Sequence, residues 1–407
     1  MSGWGALDGI RVIDLTQVLA GPFCAQMLAD QGADVIKVEP PKGDETRRNG
    51  PFRPDDTLRE FGGYFASVNR NKRGIALDLK TEEGREVLLR LIDTADVVIE
   101  NYRNGVMERL GLGYDALSAR NPRLVYAAIR GFGDVRSGAS PYADWPAFDV
   151  VAQAMGGIMG ITGPDADTPL KIGPGVGDLV PAMMTAFGIL AALMEAKRSG
   201  QGQFIDVGMV DGIMALCERI VHQHTFAGIV PKPEGNRHPL LCPYGLFRCK
   251  DGWATIGAPH PHFWRNLCNA MERPDLIDHP LYATNELRVA RRDEVYDIVE
   301  GFTKLKTKAE LAELIGGQVP FAPVYRVDEI FADPHFRARD MLVEVEQPGS
   351  ATPVTLPGVP VKMSRTPGGV RKRAPMLGEH TDDILSGLDY SAVEIAALRA
   401  AGAFGRS

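Results

Sequence analysis

Short apolar runs alternate with amphipathic stretches along the first 130 residues of the chain. The predicted strands lie near 10–15, 35–38, 75–79, 97–100 and 124–129. Helical spacing between these runs predicts helices over 23–30 and 82–95. This alternation is typical of a parallel sheet with helices on its faces. The sequence therefore predicts an α/β fold whose ligands bind at the carboxyl ends of the strands.

A longer apolar segment follows the glycine-rich turn GPGVGDL, which begins at Gly173. We expect a buried core helix there, from Asp178 to about Lys197. Because Gly188 breaks the apolar run and charged residues end it, we do not expect it to span a membrane. From about residue 225 the pattern becomes proline-rich and irregular, and LFRCKDGWATIGA then predicts a hairpin. This change in sequence pattern predicts a second domain.

Composition and charge limit the possible partners. The chain has 407 residues, 44% of them hydrophobic and 24% charged, and a net charge of −7. Its length predicts two domains or one large domain with an insertion. The negative charge argues against nucleic acid or an anionic membrane as the main partner. Five scattered cysteines without a CxxC pair, and an opening without a signal-peptide pattern, predict free thiols in a cytoplasmic protein.

Basic residues are concentrated in the loops that flank the predicted strands. They are Arg47, Arg48, Arg70, Lys72, Arg73, Arg103, Arg109 and Arg130. Each of these residues taken alone is also explained as an ordinary solvated surface charge. As a group in an acidic chain, they predict an anion site that is suited to phosphates.

One acid lies where covalent chemistry is expected. Asp178 follows Gly175 and Gly177 at the start of the predicted core helix. The helix dipole and the unpaired N–H groups of the first turn favour an ionised carboxylate there. Aspartate is also a common helix cap, so the position alone does not establish a nucleophile. Combined with the basic loops, Asp178 predicts a carboxylate that acts on a phosphate-bearing thioester.

Two other chemistries fit the sequence less well. The opening strand–helix–strand ends in Glu39, as dinucleotide-binding units do, but its turn TQVLAGPFCAQ lacks the G-x-G-x-x-G pattern. Pro22 also occupies the helix entrance. A serine or cysteine nucleophile needs a partnered histidine, and none of the eight histidines lies in such a motif or in a spacing for zinc. We therefore expect neither an NAD-dependent enzyme nor a metal site.

Six specific motifs are spread along nearly the whole chain. They are LDGIRVIDLTQVLAGPFCAQMLADQGADVIKVEPPKGD, NRNKRGIALDLKTEEGRE, ADVVIENYRNGVMERLGLGY, NPRLVYAAIRGFG, GVGDL and APMLGEHT. In type and in order they resemble the motifs of class III CoA-transferases of the CaiB/BaiF type, so the chain is identified as a member of that family. The family includes formyl-CoA transferase, carnitine CoA-transferase and the 2-methylacyl-CoA racemases.

The resemblance implies a catalytic role for Asp178 and a set of residues that contact CoA. These are Val18, Leu19, Asn71, Lys72, Arg73, Asn101, Tyr102, Arg103, Arg109 and Arg130. CoA enters as part of an acyl-CoA substrate and is not a permanently bound cofactor. The implied architecture is a Rossmann-like large domain over 1–224, a small α+β domain over 225–325, and a return linker with the rest of the large domain over 326–407. Two chains are expected to form an interlocked homodimer.

Departures from the family pattern bear on the substrate. The racemases carry a histidine where this chain has Phe148, and phenylalanine cannot exchange a proton. Formyl-CoA transferase has a glutamine at Leu19 and a glycine run where this chain reads GNRHPLLCPYG. The motifs are closer to the branch acting on dicarboxylic acids such as glutarate or succinate, and Arg237 with His238 is a candidate pair for a second carboxylate. We therefore expect CoA transfer from an acyl-CoA such as succinyl-CoA, with a racemase or a non-catalytic acyl-CoA binder as the alternatives.

Overall fold

The computed structural model describes residues 5–405 and contains a six-stranded parallel sheet. Its strands are β1 (Arg11–Asp14), β2 (Asp34–Glu39), β3 (Arg73–Ala76), β4 (Val97–Glu100), β5 (Val125–Arg130) and β6 (Phe204–Gly208). All neighbouring strands pair in parallel in the order β3-β2-β1-β4-β5-β6. This is the doubly wound order, in which the direction of winding reverses between β1 and β4. The predicted α/β fold is confirmed.

Helices cover the sheet because its central strands are apolar on both sides. Every residue of β4 and β5 is buried, as expected for a parallel sheet with two covered faces. The helices around it are α1 (Ala20–Asp30), α2 (Gly63–Asn69), α3 (Glu82–Asp93), α4 (Val106–Arg109), α5 (Tyr114–Arg120), α6 (Asp149–Met155), α7 (Val176–Ser199), α8 (Met209–Leu216) and α9 (Glu218–Ala227). In α3, the Thr81 hydroxyl accepts a hydrogen bond from the Gly84 N–H, and an apolar stripe from Val87 to Ile92 is buried.

The chain divides into two compact units. The larger contains residues up to 158, residues 171–228 and the chain from 335 onward, and the smaller contains 159–170 and 229–334. Sequence analysis placed the boundaries at 224/225 and 325/326 and assigned 159–170 to the large domain. Strand Phe321–Pro323 pairs with the sheet of the smaller unit.

The smaller unit has its own sheet and its own apolar core. The strands are β7 (Tyr244–Cys249), β8 (Gly252–Gly257) and β9 (Phe321–Pro323), paired antiparallel in that order. The helices are α10 (Pro261–Ala270), α11 (Asn285–Ala290), α12 (Arg292–Thr303), α13 (Lys308–Ile315) and α14 (Val327–Ala332). The predicted hairpin is confirmed, because Cys249 pairs with Gly252 across a two-residue turn.

The chain then returns to the larger unit. The remaining elements of the chain are α15 (Pro334–Ala338), β10 (Leu342–Val345), β11 (Val354–Pro357), α16 (Thr381–Ser386) and α17 (Ala392–Ala400). Short 3₁₀ turns lie at 45–48 in the larger unit and at 159–161 and 274–276 in the smaller one. Strands β10 and β11 form an antiparallel pair. All five cysteines are free, as expected, and all are buried.

Helix α7 is the longest helix in the described chain. By length and composition alone it is apolar enough to cross a membrane, since one 18-residue window in it has a mean hydropathy of 1.8. Half of that apolar window is buried, and α7 packs against α1, α6, α8, β5 and β6. These contacts are typical of a core helix in a folded unit.

Candidate active site

A cavity of about 300 Å³ lies where the winding of the sheet reverses. The loops that follow β1, β4 and β5 form most of its wall, and the first turn of α7 adds Asp178. Its lining residues are Gln17, Val18, Leu19, Ala20, Asn101, Tyr102, Arg103, Asn104, Ile129, Arg130, Gly131, Ala143, Trp145, Pro146, Ala147, Phe148, Asp178 and Met209. We refer to it as the Asp178 cavity. Its position is where open α/β sheets bind their ligands.

Side chains fix the loops that form this wall. The Asn101 side chain accepts a hydrogen bond from the Gln17 N–H and donates one to the Gln17 carbonyl, at 2.9 and 2.8 Å. Asn101 therefore joins the loop after β1 to the loop after β4. Val18 has a φ of 71°, which is strained for a β-branched residue. Its N–H donates to the buried Asp44 carboxylate, which holds this conformation.

Close packing explains one of the two glycines before Asp178. A Cβ on Gly177 would lie 2.4 Å from the Asp149 carbonyl oxygen, so only glycine fits there. A Cβ on Gly175 would crowd only the end of the Leu19 side chain, at 3.1 Å, and neither glycine has a positive φ. The Gly177 N–H donates to the Asp149 carboxylate at 2.8 Å, and Gln153 Nε2 donates to both of its oxygens at 2.9 Å. Asp149 thus caps the turn that presents Asp178.

The ionisation of Asp178 differs from the expectation. Its position in the first turn of α7 is confirmed, and we expected this helix start to keep the carboxylate ionised. Burial and the nearby Asp149 carboxylate instead raise the pKa of Asp178 to about 7. Within residues 5–405 its side chain accepts no hydrogen bond that would offset this cost. A carboxyl group with this pKa changes its charge near neutral pH.

Tyr64 is a polar neighbour that sequence reasoning missed. Burial and the charges of Asp178, Asp44 and Asp149 raise the pKa of this phenol, which places it within their electrostatic reach. It lies in the first turn of α2, and no motif or spacing marked it in the sequence.

A second pocket, of about 330 Å³, adjoins the Asp178 cavity, and the two share Gln17 and Tyr102. We call it the adjoining pocket. It is lined by Gln17, Val38, Glu39, Pro40, Pro41, Leu77, Asp78, Leu79, Lys80, Tyr102, Val106, Arg109 and Leu110. Arg109 and Lys80 are exposed, and neither forms an ion pair in the described chain. Sequence reasoning identified Arg109 but missed Lys80 and the two prolines.

The structure brings seven of the ten predicted CoA contacts to these two cavities. Val18, Leu19, Asn101, Tyr102, Arg103 and Arg130 line the Asp178 cavity, and Arg109 lines the adjoining pocket. The other three lie at the start of β3 or directly before it, and their side chains bind other groups of the chain. Asn71 donates to Asp30, Lys72 Nζ donates to Asp14 at 2.8 Å, and Arg73 pairs with Asp34 at 2.7 Å. Their predicted contacts with CoA stay predictions.

Most of the basic residues that predicted an anion site are paired with acids. The pairs are Arg47 with Glu39, Arg70 with Asp30, Lys72 with Asp14, Arg73 with Asp34, and Arg130 with Glu100. Arg48, Arg103 and Arg109 are exposed and have no ion pair in the described part of the chain. Only Arg103 and Arg109 of these three line a cavity described above.

Comparison with known proteins identifies the family. Residues 7–381 match the CoA-transferase family III. The succinyl-CoA:mesaconate CoA-transferase of Haloarcula hispanica is 48% identical over 94% of this chain and 96% of its own length. The succinate–glutarate CoA-transferase of Agrobacterium fabrum is 39% identical over 94% of this chain and 96% of its own.

A solved structure agrees with the fold along almost the whole chain. The crystal structure of a CAIB/BAIF family protein from Brucella suis has a TM-score of 0.84 and 37% sequence identity. The match covers 95% of this chain and all of that one.

Proposed function

The chain belongs to the CoA-transferase family III, and we propose that it moves CoA from succinyl-CoA to a dicarboxylic acid through covalent catalysis by Asp178. The observation that carries this proposal is the placement of Asp178. It is an acid without an internal hydrogen-bond partner in the described chain, at a strand-end cavity beside a pocket with two unpaired cations. The named substrates of the related transferases from Haloarcula hispanica and Agrobacterium fabrum support the dicarboxylic class.

The reaction begins when an Asp178 carboxylate oxygen attacks the thioester carbonyl of the donor. The C–S bond breaks, CoA leaves as a thiolate, and the acyl group and Asp178 form a mixed anhydride. The thiolate then attacks the Asp178 carbonyl carbon, which releases the donor acid and leaves an aspartyl-CoA thioester. The acceptor carboxylate attacks this thioester, and the thiolate released in that step attacks the acceptor carbonyl of the second anhydride. The products are the new acyl-CoA and free Asp178.

The raised pKa of Asp178 fits this role. A half-buried carboxylate that accepts no hydrogen bond from the described chain is poorly solvated and therefore a stronger nucleophile, and its ionised form is favoured above about pH 7. The apolar side chains that line the cavity with it, among them Leu19, Ile129 and Met209, limit access of water to the anhydride. Water exclusion matters because hydrolysis would release the CoA without transfer.

The adjoining pocket suits the nucleotide end of CoA. Pro40, Pro41 and Leu77 supply apolar contacts for a base, and Lys80 with Arg109 supplies positive charge for phosphates. Gln17 and Tyr102 belong to both cavities. The pantetheine arm would pass these two residues, and the thioester would then lie in the Asp178 cavity.

We also propose an interlocked homodimer. The outer face of α7 carries an apolar stripe at helical spacing, Met183, Phe187, Leu190 and Met194, and Phe187 and Met194 are 76% and 77% exposed. A second copy of the chain is the partner that would cover it. Light scattering should give twice the 44.2 kDa of one chain, and Phe187→Glu with Met194→Glu should shift the mass toward that of one chain. An unchanged dimer in this double variant would exclude the α7 stripe as an interface.

Racemisation of a 2-methylacyl-CoA is not favoured, since the named relatives are CoA-transferases. Phe148 lines the Asp178 cavity at the position where the racemases have a histidine, and it has no group that exchanges a proton.

The test is transfer from succinyl-CoA to a panel of mono- and dicarboxylic acids, with new CoA esters followed by mass spectrometry. Wild-type protein should form esters of dicarboxylic acids, and Asp178→Asn should lower kcat by about a thousandfold or more. Asp144→Asn, an exposed acid of the same unit, is the matched control and should retain activity. Near-normal transfer by Asp178→Asn would exclude the mechanism.

The stability of Asp178→Asn shows whether a loss of activity comes from the catalytic step or from misfolding. Because the pKa of Asp178 is raised in the folded chain, the folded state binds more protons than the unfolded state between its ordinary range and about pH 7. Stability therefore falls as the pH rises through that window. Asp178→Asn removes this cost, so we expect the variant to resist urea better than wild type at pH 8.

A further inference from the structure

The Asp178 cavity contains one positive charge that no acid of the described chain neutralises, Arg103. Its other cation, Arg130, is buried and paired with Glu100 at 2.7 Å and Asp134 at 3.2 Å. Arg103 is exposed at the cavity wall, and its guanidinium has no ion pair or hydrogen bond among residues 5–405. A guanidinium in this situation is available to a ligand.

The loop around Arg103 is fixed on both sides. Asn101 is bonded to the Gln17 backbone, and the Tyr102 N–H donates to the Glu100 carboxylate at 2.8 Å. On the other side, Asn104 Nδ2 donates to the Ala143 carbonyl at 3.0 Å. The backbone that carries Arg103 is therefore held in place before any ligand arrives, which lowers the entropy lost when its side chain binds a charged group.

The cavity and its surroundings carry an excess of negative charge that Arg103 offsets. Asp178 and Asp149 are close enough for one to raise the pKa of the other, and Arg130 lies between two acids. A second carboxylate on the acyl group would be repelled by this excess of negative charge. Arg103 is the one lining cation free to offset it.

We propose that Arg103 binds the distal carboxylate of the acyl group in the Asp178 cavity and thereby selects dicarboxylic over monocarboxylic substrates. The inference rests on the proposed transferase function, and it gives Arg103 a different role from the CoA contact that sequence analysis expected. The reacting carboxyl group lies at Asp178, the aliphatic chain lies against the apolar wall, and the guanidinium pairs with the far end.

Arg109 provides a matched control on the same segment. Both arginines are exposed and unpaired, but Arg109 lines the adjoining pocket with Lys80, Pro40 and Pro41. If the pocket binds the part of the substrate that all acyl-CoA molecules share, replacing Arg109 must affect every donor equally. Replacing Arg103 must affect only donors that carry a second carboxylate.

The experiment compares succinyl-CoA with butyryl-CoA as donors to one acceptor, glutarate. In a ping-pong reaction, kcat/KM for the donor reports the first half-reaction, so the acceptor does not affect the ratio. Arg103→Ala should lower kcat/KM for succinyl-CoA by about tenfold to a hundredfold, the usual effect of losing a charge-assisted hydrogen bond. Butyryl-CoA should change by less than about twofold, and Arg103→Lys should recover part of the preference.

Two results would overturn the inference. Equal losses for both donors in Arg103→Ala would make Arg103 a contact of CoA itself, and no loss for either would exclude it from the site. Arg109→Ala should show equal losses in the same assay. Failure of wild-type protein to transfer CoA would contradict the proposed function instead. In that case, calorimetric binding of the two thioesters to Asp178→Asn, with and without Arg103→Ala, repeats the comparison without turnover.

Discussion

Cations with similar sequence surroundings serve opposite purposes in two regions of the larger unit. Behind the loop after β1, Lys72 and Arg47 are buried against Asp14 and Glu39. At the two cavities, Arg103 and Arg109 are exposed and unpaired in the described chain. The first region holds the loops in place and the second is open to a substrate. The difference shows that a basic residue is available to bind an anion only where the fold gives it no acidic side chain as an ion-pair partner.

The largest effect should come from breaking a buried pair. Lys72 Nζ donates to Asp14, to the Asn69 side chain and to the Pro22 carbonyl, all within 2.9 Å. Lys72→Met leaves the Asp14 carboxylate buried with less compensation, so the free energy of unfolding should fall by about 3–5 kcal/mol in urea titrations. Arg73→Ala is the matched control, because its pairs are partly exposed and should contribute only about 0.2–1 kcal/mol.

The same two variants also test whether either cation binds CoA. An unchanged KM for acyl-CoA in Arg73→Ala would place it with the structural cations. If Lys72→Met had full stability but a raised KM for acyl-CoA, Lys72 would be a substrate-binding residue. That result would contradict the distinction between paired structural cations and unpaired binding cations.

A smaller effect concerns pH and the acid next to the nucleophile. Since Asp178 must be ionised to attack, kcat/KM for the donor should fall about tenfold per pH unit below a pKa near 7. Asp149→Asn removes the neighbouring charge that helps to raise this pKa, and its amide oxygen is still able to accept from the Gly177 N–H. We expect the acidic limb of the pH profile to move to lower pH, measured from initial rates between pH 5 and about 9. A profile that does not move would mean that Asp149 acts only as a cap.

Strand positions and the helix behind Asp178 were predictable because their patterns are local. The run VVIE and the alternation around it fixed β4, and glycines before an apolar run marked the start of α7. The parallel-sheet pattern directed attention to the loops at the carboxyl ends of the strands, and the resemblance then implied CoA contacts in them. The loops after β1, β4 and β5 do meet at the Asp178 cavity.

The features that the sequence did not predict depend on tertiary neighbours. Nothing in SVNRNKRG shows that Lys72 will meet Asp14, which lies 58 residues earlier, or that β3 will place Arg73 opposite Ile36, inside β2. The ionisation of Asp178 likewise depends on burial and on Asp149, 29 residues earlier in the chain. Tyr64 was missed for the same reason, since only the folded chain brings it near these acids.

The most direct measurement of the central claim follows oxygen atoms through Asp178. In the proposed mechanism an acceptor carboxylate oxygen remains on Asp178 after each cycle, and an Asp178 oxygen leaves with the donor acid. Turnover of succinyl-CoA with an ¹⁸O-labelled dicarboxylic acceptor, followed by peptide mass spectrometry, should therefore place ¹⁸O in the peptide that contains Asp178. Labelled succinate should appear from the second cycle onward. Full transfer with no label in that peptide would contradict a covalent role for Asp178.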